Sequence, residues 1–545
     1  MRRFIQFILI YCWLLMPISK LSAQQETIYT AKKIYVGDTA MTVVESMVCE
    51  NDKIVFTGPA ELARALYPKA KSVDFKNQFI YPGFIDAHCH FLAWCKGLKE
   101  ADLVGTKSEK EIIKRLQKFA KTTKRSWIVG RGWDQNDWQN KNYPTLASLD
   151  KAFPRTPVFL KRIDGHAAWI NTAAVNAMTL DVNQKISGGE FIFKDGKFTG
   201  ILIDNAIDLV SGSVPPLPED EQSTAVYQGA QKCYAAGLTT LDEAGLTTEE
   251  VKYLDKQQQD GKLNLRIYAM LSAAPASFAW VADKGLTNNG MMHVGAVKFY
   301  LDGALGSRGA LLKKDYCDRL GHKGLLLNSL REFENYSYFL AQRSWQVCVH
   351  AIGDSANALA LQIFGKLRYQ NEGLRWRIEH AQILDPKDFK LFGKYGVVPS
   401  VQPTHATSDA PWVPSRICEN RLQGAYNYAE LCKQAGLVAL GTDFPVEDIS
   451  PIKTFYSAVT RKDAAGNVKT PFQPEGALTR KQALLGMTLW AAYANHEEND
   501  KGSLETNKYA DFVVLDTDLM LSPEKALKKA KVKNTVIGGK MVHQP

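Results

Sequence analysis

Two histidines separated by one residue, His88 and His90, follow a run of strand-forming residues and could bind a metal ion. The run reads QFIYPGFIDAHCH from position 78 to position 90. Because side chains alternate across a strand, His88 and His90 point to the same face. Two neutral imidazoles, with Asp86 two residues earlier, are donors that divalent metals accept. Two unrelated histidines at a strand end would give the same pattern. A metal site therefore requires further ligands elsewhere in the chain.

Four later strands each carry a further candidate ligand at or near the carboxyl end. They are GAVKFYLDG with Lys298, WQVCVHAIGD with His350, LRWRIEHAQ with His380 and LVALGTDFP with Asp443. In a (β/α) barrel, the carboxyl ends of the parallel strands meet at one rim. The six candidate ligands on five strands therefore predict one metal centre built by distant parts of the chain.

The frame that must position these ligands is an α/β domain with β-rich ends. Short apolar strands alternate with amphipathic helical stretches such as residues 108–124, which predicts parallel strands. Short strands and turns fill residues 27–74 and return in the tail, as YADFVVLDTD and VKNTVIGGKMV, so the two ends could pair into one small β-sandwich. Residues from about 100 to 208 form a long interval that we interpret as an insertion over the barrel mouth, where it would shape the pocket.

The ordered ligand set resembles that of the amidohydrolase superfamily, and the flanking motifs resemble its amidohydrolase 3 branch, which includes N-substituted formamide deformylases. The matching motifs are GWDQNDW, DGHAAWINTAA, KFYLDGALGSRGA, HAIGD, IEHAQ and GTDFP. The similarity runs from about Val36 to Lys540. The resemblance implies a TIM (β/α)8 barrel with a small composite β-sandwich formed by both ends of the mature chain. We expect a signal peptide at 1–23, sandwich parts at 24–78 and 501–545, and the barrel at 79–500.

The resemblance also implies how the metals are held. His88 and His90 would bind the more buried ion with Asp443, and His350 and His380 would bind the second. An ammonium group at Lys298 would be repelled by two dications, whereas its carbamate, formed with carbon dioxide, would be an anionic bridging ligand. A salt-bridged lysine beside a single metal is the alternative. Zinc suits this donor set, as iron, manganese or cobalt also would.

The expected reaction is attack of a metal-activated hydroxide on a C–N bond other than a peptide bond, in an amide, a formamide or a cyclic amide. Asp443 suits the general base that takes the proton of water and returns it to the leaving amine. His350, or the second metal, would polarise the carbonyl. GTDFP would equally suit a helix N-cap at Asp443.

Four further residues are candidates for substrate contact: His166, Trp133, Asp134 and Arg308. Each has a structural alternative. His166 could be a satisfied structural histidine, Trp133 a core residue and Asp134 a turn cap. Arg308 could pair with a substrate carboxylate or hold Asp302 in a salt bridge.

Composition and charge restrict the class of protein. Residues 1–23 combine two arginines, an apolar run and a small-residue cleavage site, so we expect an exported chain, periplasmic or extracellular. Without them the formal charge falls from +10 to +7, and the scattered basic residues argue against nucleic-acid binding. The eight remaining cysteines contain no C-x-x-C pair, although export would permit an occasional disulfide. No later segment is apolar enough for a membrane span.

Two other functions use the same features. An activated hydroxide could hydrolyse lactones or other esters on the same metal centre. A barrel-based binding protein without catalysis is the alternative from another class, although none of its six expected ligands is missing here. A small molecule is the expected partner, and the sequence leaves open whether the chain is a monomer or a homodimer.

Overall fold

The computed structural model describes residues 26–370 and 373–545, so the expected signal peptide at 1–23 lies outside the described residues. The described chain begins with β-structure, as its alternation of apolar and polar residues predicts. One short helix, α1 (Ala60–Leu66), interrupts the strands. The strands are β1 (Glu26–Tyr35), β2 (Val43–Glu50), β3 (Lys53–Gly58), β4 (Lys71–Asp74) and β5 (Phe79–Pro82).

The run that carries the two histidines is divided at Gly83 into two strands of different sheets. β5 ends at Pro82, and β6 (Phe84–Cys89) begins the barrel, followed by α2 (Phe91–Gly97). A Cβ atom on Gly83 would lie 2.4 Å from the side chain of Thr239, so only glycine fits this crossing. The barrel boundary expected at residue 79 is therefore wrong by five residues, since the barrel begins at Phe84.

The predicted insertion forms a separate six-stranded sheet. Its strands are β7 (Ala101–Asp102), β8 (Ile128–Trp133), β9 (Val158–Arg162), β10 (Ala167–Ile170), β11 (Gly189–Lys194) and β12 (Lys197–Asp204), in the order β11-β12-β10-β9-β8-β7. Its helices are α3 (Glu109–Ala120), α4 (Leu146–Ala152), α5 (Thr172–Met178) and α6 (Asp208–Ser211). Ser108 caps α3 by accepting a hydrogen bond from the backbone of Glu111, which explains why this helix starts where the sequence predicts.

The remaining barrel strands follow in chain order. They are β13 (Leu238–Leu246), β14 (Arg266–Ser272), β16 (Met292–Tyr300), β17 (Gln346–Ala351), β18 (Arg377–His380), β19 (Val398–Val401) and β20 (Ala439–Leu440); β15 (Thr287–Asn288) is a two-residue strand on β16. With β6 they form eight strands in the order β6-β13-β14-β16-β17-β18-β19-β20, and every neighbouring pair is parallel.

Helices separate the strands. They are α7 (Glu219–Ala235), α8 (Thr248–Gln259), α9 (Pro275–Asp283), α10 (Leu330–Ala341), α11 (Asp354–Lys366), α12 (Phe389–Tyr395), α13 (Pro403–Asp409), α14 (Val413–Ile417), α15 (Tyr428–Ala435), α16 (Pro451–Thr460), α17 (Arg480–Gly486) and α18 (Leu489–Ala494). A capping box between Thr247 and Glu250 starts α8. The eight-stranded parallel arrangement with outer helices confirms the predicted TIM barrel.

Backbone bonds beyond β20 close the barrel next to the two histidines. The amide of Asp443 donates to the carbonyl of His88 at 2.7 Å, and the amide of His90 donates to the carbonyl of Phe444 at 2.8 Å. The carboxylate of Asp86 accepts the amide of Thr442 at 2.9 Å and its hydroxyl at 2.6 Å. Asp86 therefore holds the seam of the barrel and does not serve as a metal ligand.

The chain ends in strands that return to the first sheet. β21 (Phe512–Leu515) precedes α19 (Glu524–Leu527), and β22 (Val532–Ile537) and β23 (Lys540–His543) follow it. The sheet order is β23-β22-β21-β5-β1-β2-β3, with β4 paired to β1. Both ends of the described chain thus build one composite sheet, as predicted. No helix within residues 26–370 and 373–545 has the length and hydropathy of a membrane span.

Candidate metal centre

Five of the predicted ligands lie together at the carboxyl end of the barrel. The Nε2 atoms of His90 and His88 lie 3.2 Å and 3.7 Å from Oδ1 of Asp443. The ring centres of His88 and His380 are 4.7 Å apart, and those of His380 and His350 are 4.5 Å apart. Residues 380 and 443 reach this position through left-handed backbone, with φ of 75° and 58°. Such backbone strain in non-glycine residues persists only where the surrounding structure holds it.

The sixth predicted ligand, Lys298, lies in the same cluster. Its side chain is fully buried, and Nζ is 3.2 Å from Nε2 of His88 and 4.9 Å from the centre of the Tyr300 ring. Among the described residues, no carboxylate lies within ion-pair distance of Lys298. Burial lowers the pKa of its amine. The predicted alternative of a salt-bridged lysine is therefore wrong.

The ring of each central histidine is fixed by a polar partner on one nitrogen. Nδ1 of His88 donates to Oε2 of Glu379 at 2.5 Å, and Nδ1 of His380 donates to Oε1 of Gln402 at 2.8 Å. Nε2 of His350 lies 3.5 Å from Oδ1 of Asp302. Partners of this kind fix the tautomer of a metal-binding histidine and orient its other nitrogen.

The partners are themselves held rigidly. Asp302 accepts three backbone amides, from Leu311, Ile352 and Gly353, at 2.8 Å, 3.0 Å and 2.8 Å. Glu379 lies 2.8 Å from the guanidinium of Arg377, which also binds Asp242 at 2.9 Å. Burial would raise the pKa of Glu379, but Arg377 and His88 outweigh it and lower that pKa to about 2. Glu379 is thus an anion beneath the centre.

One histidine of the site, His405, is not among the predicted residues. It lies on α13, its Nε2 is 3.6 Å from Oδ2 of Asp443, and its ring is nearly parallel to that of His380 at 6.0 Å. The amide of Gln382 lies 3.0 Å from its Nδ1. A signal existed in the sequence: His405 follows β19 by four residues, at the same rim as the other ligands.

Buried polar atoms of the cluster lack a hydrogen-bond partner in the protein. Their position shows whether the residues fit a metal ion. Oδ1 of Asp443 and Nε2 of His405 are buried without a hydrogen bond. Ligand atoms of His88, His90 and Asp443 lie within 4.8 Å of one another, as do those of His380, His405 and Asp443. Unpaired buried lone pairs of this type are costly unless a cation binds them. The donor set therefore fits one or two divalent cations.

The charges of the cluster are also those of a cation site. Burial lowers the pKa of His88 to about 4, and burial likewise lowers the pKa of His350 and His380 well below the usual range. These three rings are therefore neutral and can offer lone pairs. Burial would raise the pKa of Asp443, but its close contact with His90 and the other neighbouring histidines lower it well below its usual range. The carboxylate is therefore ionised, and no helix starts beside it, so the predicted N-cap alternative is wrong.

His166 lies beside the centre, carried by the insertion. Its ring centre is 5.1 Å from that of His350, and its Nδ1 donates to Oδ1 of Asp204 at 2.6 Å. Burial lowers the pKa of His166, but the Asp204 carboxylate outweighs it and raises that pKa to about 9. The structure thus brings His166 beside His350 as a charged side chain.

The other predicted substrate contacts do not all reach the pocket. Trp133 is fully buried in the core of the insertion sheet, where its Nε1 donates to the carbonyl of Leu160 at 2.9 Å, so its assignment to the pocket is wrong. Asp134 caps the turn that follows β8 and binds the guanidinium of Arg162 at 2.5 Å. Both positions serve the insertion's own structure.

Arg308 pairs with Asp318, not with Asp302. Its Nε and Nη2 donate to the two oxygens of Asp318 at 3.1 Å and 2.9 Å. The predicted Arg308 salt bridge with Asp302 is therefore wrong, because Asp302 is committed to backbone amides beneath His350. Next to Asp318, Cys317 forms a disulfide with Cys418, which joins the loop after β16 to the segment after α14.

The insertion also supports the loop that carries Asp443. Nη1 of Arg131, on β8, donates to the carbonyl of Pro445 at 2.7 Å, and Nη2 donates to the carbonyl of Ile163 at 3.1 Å. Because Pro445 lies two residues after Asp443, this contact couples the position of the insertion sheet to that of the carboxylate. The insertion therefore contributes to the shape of the site from outside the barrel.

Comparisons with known proteins find similarity along nearly the whole chain. The pattern that defines the amidohydrolase family matches residues 71–543. The protein LONG AFTER FAR-RED 3 of Arabidopsis thaliana is 30% identical over 537 residues, covering 95% of this chain and 91% of its own. The N-substituted formamide deformylase of Arthrobacter pascens is 24% identical over 523 residues, covering 92% and 95%.

A solved structure shares the whole architecture. The crystal structure of an uncharacterized metal-dependent hydrolase from Pyrococcus horikoshii OT3 superimposes with a TM-score of 0.76 at 26% identity, covering 92% of this chain and 99% of that one. The match spans the barrel, the insertion and the composite sheet together. The predicted resemblance and fold class are confirmed.

Proposed function

Because the chain belongs to the amidohydrolase family, we propose that it is a metal-dependent hydrolase that cleaves a non-peptide C–N bond in an amide, a formamide or a cyclic amide. The observation that carries this proposal is the position of Asp443, an ionised carboxylate whose Oδ1 has no hydrogen-bond partner and lies 3.2 Å from Nε2 of His90. The similarity to an N-substituted formamide deformylase supports the choice of bond.

The residues that would hold metal divide into two groups. His88, His90 and Asp443 would hold one cation, His350 and His380 would hold a second, and the carbamate of Lys298 would be a ligand shared by both. A divalent cation bound there supplies Lewis acidity, which lowers the pKa of water to about 7 and polarises a carbonyl group. Zinc suits these nitrogen and oxygen donors.

In the proposed reaction the chain's own residues move one proton. Asp443 accepts a proton from the attacking water as the water oxygen bonds to the carbonyl carbon. As the C–N bond breaks, Asp443 returns that proton to the departing nitrogen, so the products are an acid and an amine. His350, whose ring centre lies 4.5 Å from that of His380, would help to polarise the carbonyl, and His166 would contact the substrate from the insertion.

Lys298 would act as a carbamate. Its neutral amine bonds to the carbon of carbon dioxide and loses one proton, giving an anion at the end of the side chain. The position of Nζ supports this, since an ammonium 3.2 Å from Nε2 of His88 would compete with a cation for that nitrogen. Elemental analysis of the wild type and Lys298→Ala tests the assignment. About two metals per chain falling to one or none supports a carbamate bridge; one metal in both contradicts it.

The test of the reaction is turnover by Asp443→Asn, compared with Asp448→Asn, a surface carboxylate five residues later. Panels of amides, formamides, cyclic amides, lactones and esters are assayed with the metal-loaded wild type. Loss of about 10² to 10⁴ in kcat for Asp443→Asn only, with C–N substrates preferred, supports the proposal. Preference for lactones or esters would favour the alternative hydrolase, and thermal stabilisation by ligands without turnover would favour a binding protein.

We also propose that the protein is exported. The apolar leader expected at 1–23 and the disulfide between Cys317 and Cys418 support this location, because such bonds persist in oxidising compartments. Cell fractionation with mass spectrometry of the recovered amino terminus tests it. Recovery of the uncleaved chain in the cytoplasm would contradict export.

A further inference from the structure

Two histidines on neighbouring strand ends are held by each other's glutamines. His380 ends β18 and Gln382 lies two residues later, whereas Gln402 and His405 follow β19. Gln402 binds Nδ1 of His380 at 2.8 Å, and Gln382 binds Nδ1 of His405 at 3.0 Å. The two rings are inclined by only 17°. Each strand end therefore supplies one histidine and the amide that orients the histidine of its neighbour.

Resting on the proposed metal-dependent function, we propose that His405 is itself a metal ligand, which binds a cation together with Oδ2 of Asp443 beside His380. Nε2 of His405 lies 3.6 Å from that oxygen. Two ligands bound to one zinc ion at about 2.1 Å, at a tetrahedral angle, lie about 3.4 Å apart. Asp443 then serves both cations, with Oδ1 toward His90 and Oδ2 toward His405.

The hydrogen bonds behind His405 determine which nitrogen carries its proton. The hydroxyl of Tyr426 donates to Asp409 at 2.7 Å and lies 3.3 Å from Oε1 of Gln382, whose Nε2 faces Nδ1 of His405. Because its one hydrogen is committed to Asp409, the Tyr426 oxygen is best met by the amide nitrogen of Gln382. A half-turn of this amide, which changes its shape little, then places the amide oxygen on Nδ1 of His405.

With Nδ1 donating to Gln382, Nε2 of His405 presents a lone pair. This atom is buried and has no hydrogen-bond partner, and the His405 side chain is 7% exposed. In the opposite tautomer, Nε2 would carry a buried hydrogen too far from Asp443 for a good hydrogen bond, which is costly. The lone pair instead faces the space beside Asp443, as a metal ligand requires.

The experiment measures binding of Zn²⁺ and Co²⁺ to the full chain. The variants are His405→Ala, His405→Asp, which replaces imidazole by another ligand, and the control His293→Ala at the opposite end of the barrel, beside Glu497. Metal content is measured by elemental analysis, the dissociation constants by competition with a chelator, and the ligand field by the visible spectrum of the Co²⁺ protein. Circular dichroism confirms that each variant is folded.

We expect His405→Ala to lose one metal equivalent, or to raise the dissociation constant of one ion on the order of 100-fold, with a changed Co²⁺ spectrum. His405→Asp should retain more metal than His405→Ala, and His293→Ala should equal the wild type. Unchanged metal content, affinity and spectrum in folded His405→Ala would overturn the proposal and assign His405 to substrate contact. A wild type that binds no metal would overturn the proposed function as well, so the two failures are distinguishable.

Discussion

Glu379 accepts a hydrogen bond from Nδ1 of His88 at 2.5 Å, and neither side chain is exposed to solvent. Arg377 lies on the other side of this carboxylate and keeps it ionised. The negative charge of Glu379 beside Nδ1 makes Nε2 of His88 a more basic metal ligand. The strength of His88 as a ligand therefore depends on a residue that does not touch the metal.

Glu379→Gln should therefore weaken metal binding by about 10-fold to 100-fold, because the amide keeps the shape of the carboxylate but removes its charge. Chelator competition on the folded variant measures the change. Glu498→Gln is the matched control, since Glu498 pairs with Arg375 away from the centre. Equal affinity in both variants would show that the charge of Glu379 does not act on His88.

Removal of the disulfide between Cys317 and Cys418 should lower the stability of the loops at the barrel rim without loss of bound metal. The Cys317 and Cys418 bond closes a separation of 101 residues, so we expect Cys317→Ser with Cys418→Ser to lower the free energy of unfolding by about 2 to 4 kcal/mol. Urea denaturation with and without a reducing agent measures this. The reducing agent should destabilise the wild type only; an equal effect on the double variant would contradict the assignment.

A buried ion pair joins the barrel to the composite sheet. Nε and Nη2 of Arg266 bind the two oxygens of Asp511 at 2.6 Å and 3.1 Å. Arg266→Ala should lower the free energy of unfolding by about 3 to 5 kcal/mol, because Asp511 would stay buried without its cation. Lys366→Ala, which breaks an exposed pair, should change it by about 1 kcal/mol or less. Chemical denaturation compares the two, and similar small losses would refute the expectation.

Asp518 should make the composite sheet sensitive to acid. It accepts hydrogen bonds from Lys33 at 3.1 Å and Tyr35 at 2.9 Å. Burial would raise its pKa, but these bonds outweigh it and lower the pKa in the folded protein. A lowered pKa contributes stability above the unfolded value of about 3.9, and that stability is lost as pH falls through the folded value.

Asp518→Asn should accordingly reduce the free energy of unfolding by about 1 to 3 kcal/mol at neutral pH, with a smaller difference below pH of about 3. Denaturation curves at several pH values measure the difference. Asp283→Asn, at the exposed end of α9, serves as the control. A difference that does not shrink in acid would show that the charge of Asp518 is not the cause.

The ligands were predictable because each of them lies in or just after a strand that its apolar residues identify. Lys298, His350 and His380 lie within or at the ends of β16, β17 and β18, so one rule about barrel rims brings them together. His405 is a weaker case of the same rule, because it lies on α13, four residues after β19 has ended. Its relation to Asp443 depends on how that turn folds.

The corrected assignments have a common physical origin. Trp133 and Arg308 are each part of a local structure that the sequence pattern does not determine: a core on one side of the insertion sheet and an ion pair across a loop. Likewise, strand propensity continues through Pro82 and Gly83, and only the contact with Thr239 divides the run between two sheets. Residue type and hydrophobic periodicity predict helices and strands, whereas contacts with residues distant in sequence decide which sheet each strand joins.

The composite sheet has a consequence for biosynthesis. β5 pairs with β21, so Phe79 lies opposite Leu515. A ribosome releases the amino end first, and β5 must therefore wait, with one edge uncovered, until nearly the whole chain has emerged. β6 follows β5 directly, and the amide of Gly83 between them donates to the carbonyl of Asp511 at 2.9 Å, so the strand that carries His88 is also tied to the late segment. The composite sheet can therefore be completed only after its last strands have been translated.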